Sequence, residues 1–380
     1  MKIKQCQWSA EKGWEPSLSS TKLGSAVQVV LLFGGVKLIN ANGCMDAVRQ
    51  AYPGACLFGC STAGEIHDTF VRDDTIALTA LALEHTQVVT AQVRIDGAER
   101  SFEAGQNLAR QFDPRGLRHV FVLSEGLLVN ASELVNGMNS ILPADVKASG
   151  GCAGDGNRMQ QTFVWCNGEP QQSAAVALGF YGDRLRVGSC AIGGWSPFGP
   201  DRVITKSKQH VLYEVDGRPA LALYKQYLGR FAEQLPASGL LFPLELHVGD
   251  SQQRVLRAIL AVNEADQSIT FAGNVPEGSH ARFMVGHIED LIEGTHVAAK
   301  TALEDLKSFH PQLSILVSCN GRRFVLKQRV EEEIEAVRDV LGDETPLTGF
   351  YSYGEIAPAE GGGPAELHNE TMTITAFAET

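Results

Sequence analysis

The stretch "LFGCSTAGEI", residues 57–66, returns near the other end of the chain as "LTGFYSYGEI", residues 347–356. Each copy sets a glycine, a second glycine five places on, and then Glu-Ile. The sequence around the copies repeats too. Upstream of the first lies "VQVVLLFGG" (27–35), an apolar run short enough for a buried strand, and then "NANGCMDAVRQAYP", where Asn40 or Asn42 could cap a helix that stops at Pro53. Upstream of the second lies "LSILVSCNG" (313–321), and then "VEEEIEAVRDVLG", which sets Ile334, Val337, Val340 and Leu341 on one helical stripe ended by Gly342. Apolar strands close both units, "TIALTALAL" (75–83) and "TMTITAFA" (371–378).

A weaker copy lies between them. "HVFVLSEG" (119–126) supplies the strand and turn, "NASELVNGMNSILP" a capped helix, "VKASGGCAGDG" (146–156) the glycine segment and "SAAVALGF" (173–180) the closing strand. The turn glycines Gly35, Gly126 and Gly321 precede Gly59, Gly150 and Gly349 by 24, 24 and 28 residues. In the middle copy Gly154-Asp155 replaces Gly-Glu. This order predicts an α/β protein with helices outside mixed sheets, built from three diverged strand–helix–strand–GxxxxGE–strand units. The loop "GSCAIGGWSPFGPDRVIT" (188–205) suggests a division into domains 25–205, with two units, and 206–378, with the third facing them across a domain interface. In the second domain, "HVLYEVDGRPALALYKQYLG" (210–229) reads as strand, Asp-Gly turn and helix, and residues 287–309 as a long amphipathic helix.

Bulk properties narrow the class. The chain has 380 residues, 44% hydrophobic and 20% charged, so it can bury a sizeable core. A net charge of -12 argues against nucleic acid as a partner. Glu331-Glu332-Glu333 with Glu335 reads as a solvated helix face. The N-terminal residues lack the apolar core of a signal peptide, and no run suffices for a membrane helix. Eight cysteines without a C-x-x-C pair favour a reduced, cytoplasmic protein with buried free thiols.

The repeated loops fall where ligands gather in α/β sheets, beyond the carboxyl ends of strands. Glycines there also serve tight turns or close backbone approach, and a glutamate beside them can brace a loop. Cys60 and Ser61 do not fit the G-x-S-x-G elbow, and the third unit has Phe350 and Tyr351 in their place. Glu65, Asp155 and Glu355 would raise one another's pKa if they converged. "GGCAGDG" matches neither nucleotide-binding glycine pattern. Without C-x-x-C-H, haem could be held only non-covalently, by an imidazole such as His247, His287 or His67.

"GCSTAGEI", "GWSPFG", "YEVDGRPAL", "SCNGRR", "GFYSYGEI" and "LHNET", in this order, resemble the FIST family, whose N- and C-terminal domains would cover roughly residues 25–375. The resemblance implies a bacterial, cytoplasmic, non-enzymatic sensory module. Stand-alone chains of this kind are also similar to NosP-type proteins. That likeness implies haem b, a nitric-oxide response and control in trans of a histidine kinase, and through it of cyclic-di-GMP and biofilm behaviour. The alternative is an amino acid or other small polar ligand, with Arg322 taking a carboxylate and Glu65 and Glu355 an ammonium. Candidate lining residues are Ser61, Thr62, Glu65, Asp155, Trp195, Arg322, Tyr351 and Glu355. A homo-oligomer, an unrecognised enzyme and a ligand-free kinase scaffold stay open.

Overall fold

The computed structural model describes residues 1–19, 23, 27–39, 43–247, 254–307, 309–359 and 362–380. The expected caps Asn40 and Asn42 lie outside the described residues.

Each unit forms a sheet, and the three sheets trade strands in a closed cycle. In every unit the first two strands pair in parallel, Val29–Gly34 with Cys56–Ser61, Leu117–Ser124 with Lys147–Cys152, and Leu313–Cys319 with Leu347–Ser352. The closing strand, Ile76–Ala82, Ala174–Tyr181 or Met372–Glu379, pairs antiparallel on the other side of the first strand. The chain after each GxxxxG segment then leaves its own sheet. Glu65–His67 and Phe70–Arg72 extend the third unit's sheet, and Gly354–Pro358 and Ala365–His368 extend the second unit's. Val164–Cys166 extends the first unit's sheet, so each sheet is six-stranded. The units therefore share one core instead of meeting across a domain interface. Phe33 and Phe58, Phe121 and Val176, and Phe350 and Phe377 from the three sheets pack into a single buried cluster.

Helices cover the outer faces, as the periodicity predicts. Asn130 caps Ala131–Asn139 by accepting from the Glu133 amide (3.2 Å). Gly105 and Gly137 bring that helix against Ser101–Ala109, because a Cβ at either would stand 2.0 Å from a carbonyl oxygen of the other helix. Ile288–Asp305 and Val330–Leu341 lie over the third sheet.

The third unit starts earlier than expected, since Leu185–Ile192 pairs with its closing strand. Between that strand and helix Ile288–Asp305 the chain leaves the core and builds an inserted lobe around an eight-stranded sheet. Position 205 falls inside strand Trp195–Lys208, so most of the expected 188–205 loop is strand. A register shift between Phe198 and Arg202 absorbs Gly199 and Pro200, which a regular ladder could not hold. The Asp-Gly turn is as read: Asp216 and Gly217 take φ of 51° and 71°, and Val215 pairs with Arg218. The chain enters the lobe at Gly193–Gly194 and returns at Gly286–His287.

Candidate functional site

The carboxyl ends of the parallel strands open onto one cleft that all three units line. A cavity of about 390 Å³ is bounded by Thr62–Glu65 with Asp73 and Asp74, by Gly156–Arg158, and by Asn320, Arg323 and Lys327. Asn157, Asn320 and Phe324 also bound an apolar recess of about 250 Å³ that continues to Pro236, Leu240 and Ile259 of the lobe. Together they give a polar head and an apolar tail.

Of the residues expected to line a pocket, Thr62 and Glu65 reach this cleft. Glu65 is fully buried and accepts from the Thr75 amide and hydroxyl (both 2.8 Å) and from the Thr62 hydroxyl. Burial pushes its carboxyl up to about 7 against the pull of these donors. Glu355 repeats the arrangement, accepting from Ser352 Oγ (2.5 Å), Thr371 Oγ1 (3.0 Å) and the Thr371 amide (3.2 Å), and burial pushes it up to about 8. Each acid thus ties its glycine loop to the residue before the closing strand. Asp155 braces its own loop by accepting from the amides of Met159, Gln160 and Gln161 (2.9 Å each) and from the Tyr353 hydroxyl. Burial would raise its carboxyl, but these donors hold it below the usual range. Each of the three acids is held by donors of its own, and none of them raises another's pKa.

The raised acids set a pH response. A carboxyl that stays protonated in the fold but would ionise in the unfolded chain costs stability as pH rises from about 4.5 to its folded value. His119 and His368, lowered by burial to about 3 and about 4, act oppositely, and their contribution is lost as pH falls below about 6.5. Above pH 6.5 only the acids remain. Urea unfolding is therefore expected to show about 2 kcal/mol less stability at pH 8 than at pH 6.5, from Glu355 alone. Glu355→Gln should make this limb shallower by that amount, Glu65 and Glu370 keeping the remainder, and equal stability of the native chain at both pH values would contradict the assignment.

Arg322 holds no ligand. Its guanidinium is fully buried, bonds Glu333 through Nε (2.9 Å) and Nη2 (2.8 Å), and donates to the Leu291 carbonyl and Thr295 Oγ1 (2.9 Å each) and to the Gly193 carbonyl. The expected carboxylate contact is corrected by this internal network, which ties the third unit to the lobe's entry. Arg323, one residue on and so turned about 100° around the helix, faces the cleft, pairs with Asp73 (2.8 Å) and lies over the Tyr351 ring at 5.0 Å. Arg322→Ala should cost about 3–5 kcal/mol in denaturant unfolding by stranding Glu333, and Arg323→Ala about 1 kcal/mol or less. Equal losses would contradict this division of roles.

Ser61 and Tyr351 are interior. Ser61 Oγ accepts from the Phe163 amide (2.9 Å), and the Tyr351 hydroxyl donates to Glu333. Trp195 is buried, donates from Nε1 to the Glu370 carbonyl (2.7 Å), and lines a different cavity. That cavity, of about 740 Å³, lies where the core meets the lobe, between Ser189–Trp195 and Leu256 and Met284, with Lys147, Arg254 and His368 on its walls.

The expected imidazoles do not line it. His287 is exposed, His247 Nε2 lies 3.2 Å from Glu245 Oε2, and His67 is a half-buried strand residue opposite Thr348 whose Nε2 has no partner. His368, inside the quoted "LHNET", was not singled out by sequence. It is buried, burial holds it neutral, and Nε2 has no hydrogen-bond partner. Among the described residues no group of three or more His, Cys, Asp or Glu could hold a metal ion by itself, and no helix is long and apolar enough to cross a membrane.

The chain is similar to several known proteins. An uncharacterized protein of Mycobacterium tuberculosis is 24% identical over 253 residues, 65% of this chain and 64% of that protein. One of Mycobacterium bovis is 22% identical over the same length and shares. The match thus spans less than two thirds of these relatives. Among solved structures, a chorismatase aligns over 99% of this chain and 98% of its own at 10% identity with a TM-score of 0.38. Cyanuric acid hydrolase from A. caulinodans aligns over 100% and 98% at 9% identity with a TM-score of 0.36. The FIST N domain matches residues 28–218 and the FIST C domain residues 220–358, so the chain belongs to the FIST family, whose domains suggest a sensory, signal-transducing role.

Proposed function

We propose that the chain is a bacterial cytoplasmic sensor that binds haem b in the cavity between core and lobe, responds to nitric oxide, and regulates a separate histidine kinase in trans. Cyclic-di-GMP and biofilm control would lie downstream of that kinase. The observation that carries the reading is His368. It is a buried imidazole held neutral by desolvation, and its Nε2, without a hydrogen-bond partner, is available to a metal. The walls fit the rest of the group. Trp195, Leu256 and Met284 are apolar, Lys147 and Arg254 are cations that propionates would have to take from Asp305 (3.1 Å) and Glu245 (3.8 Å) on the same walls, and about 740 Å³ is within the usual range for small-molecule sites. Bound haem would supply the iron site for the gas. The chain's own part is to hold the imidazole and shield the pocket.

A signal needs a bistable element that the ligand biases. The lobe is joined to the core by two crossings and held by Arg257, whose Nη1 donates to the Leu367 carbonyl (3.0 Å), next to His368. A ligand on His368 would therefore act on the strand that the lobe grips. The test is an absorption spectrum of protein purified with haem supplied, before and after reduction and nitric oxide. A stoichiometric Soret band that shifts with the gas supports the reading; colourless protein overturns it.

The cleft favours a second reading, a small zwitterion with an apolar side chain. Arg158, Lys327 and Asp74 border its head and Leu240 and Ile259 its tail. Thermal-shift screening with amino acids tests it, with loss of the shift in Arg323→Ala expected.

A further inference from the structure

The seam at which the second unit's strand joins the first unit's sheet carries two thiols. Cys56 Sγ and Cys166 Sγ are 3.7 Å apart, and both are free. Cys166 pairs with Phe58 across the antiparallel ladder, which makes Cys56 its diagonal neighbour on the same face. A bond of about 2.05 Å needs the sulfurs to close by less than 2 Å, through side-chain rotation and a small shift of the strand ends. Either thiol can donate to the other sulfur, and the contact lowers Cys166 while raising Cys56, which favours thiolate on Cys166. Cys166 is 7% exposed and Cys56 half-buried, so a small oxidant reaches the pair from the Cys56 side.

We propose that Cys56 and Cys166 are an oxidative modification site, a dithiol that hydrogen peroxide converts to a disulfide. The Cys166 thiolate attacks one peroxide oxygen, the O–O bond breaks, and the departing hydroxide takes a proton to become water. The Cys56 sulfur then attacks the Cys166 sulfenic acid, its S–O bond breaks, and the Cys56 proton leaves with the oxygen as a second water. Two thiols are oxidised and one peroxide is reduced. The consequence reaches the cleft, because Val164–Cys166 continues the loop from Gly156 to Arg158 that forms the second unit's wall. The disulfide would pin that wall to the first unit.

The test is peroxide treatment of the full chain, followed by thiol counting and mass-spectrometric mapping. The count should fall from eight by two, with a peptide linking Cys56 to Cys166 that dithiothreitol dissolves. Cys56→Ser should abolish the link and leave a sulfenic acid on Cys166 that dimedone traps. Cys166→Ala should also abolish the link, and it serves if a buried serine perturbs folding. A link between other cysteines, or loss of thiols without any Cys56–Cys166 link, overturns the proposal, as does retention of all eight thiols.

Discussion

Gly349→Ala is expected to lower stability by about 4 kcal/mol or more, enough to unfold many single domains. The same holds for Gly59→Ala and Gly150→Ala. An ideal Cβ at each would stand 1.8 Å from a backbone oxygen of the parallel neighbour, Leu316, Leu32 or Val122. No rotamer relieves such an overlap, since both atoms belong to the ladder itself, and only a broken pairing can. Gly150 adds a φ of 145°, where a side chain is strained whatever the space. Gly54→Ala is the control, with positive φ but nothing within 4 Å of its Cβ, and should cost only about 1 kcal/mol. Urea unfolding of the four variants checks this. A loss at Gly349 no larger than at Gly54 would show that the repeated glycine is not kept for close approach.

That result would also answer why the chain writes its motif twice and a half. The first glycine in each copy serves strand contact, and the acid after the second ties the loop to Thr75 or Thr371. The repeat is legible in sequence because this local constraint recurs wherever the unit recurs. Strands, helices and the outward position of the helices were legible for the same reason: periodicity records which face is buried. What periodicity does not record is the partner. Glu65–His67 looks the same whether it pairs within its own unit or with Leu347–Ser352, and that non-local choice fuses three units into one core. The site divides likewise. A glycine-rich loop beyond a strand pointed to the cleft, and Thr62 and Glu65 lie there. Arg322 and Arg323 are indistinguishable as letters, and only helix geometry turns one inward to Glu333 and the other outward. His368 was hidden because its distinction is burial on a strand paired with Gly354–Pro358, with Nε2 left unpartnered, not a neighbour in the chain.

His368→Ala is expected to abolish stoichiometric haem binding and leave the fold intact. Weakening of at least 100-fold, about 2.7 kcal/mol, is the size expected for an imidazole–iron bond that nothing else nearby replaces. His67→Ala, His247→Ala and His287→Ala should bind as the native chain does, since none of these rings lines the cavity. The argument is one of cost. A buried imidazole with one nitrogen unpaired gives up a hydrogen bond worth about 1 kcal/mol, a sacrifice that a ligand on Nε2 would offset. Removing the ring removes that unsatisfied atom, so His368→Ala should lose little more stability than a small cavity costs. The measurement is a haem titration followed in the Soret region, with free imidazole added back to the alanine variant. Restored binding with imidazole would assign the lost bond to the ring itself. Undiminished haem binding by His368→Ala, with loss in His67→Ala, would move the site to the first unit's hairpin and leave the core–lobe cavity to another ligand.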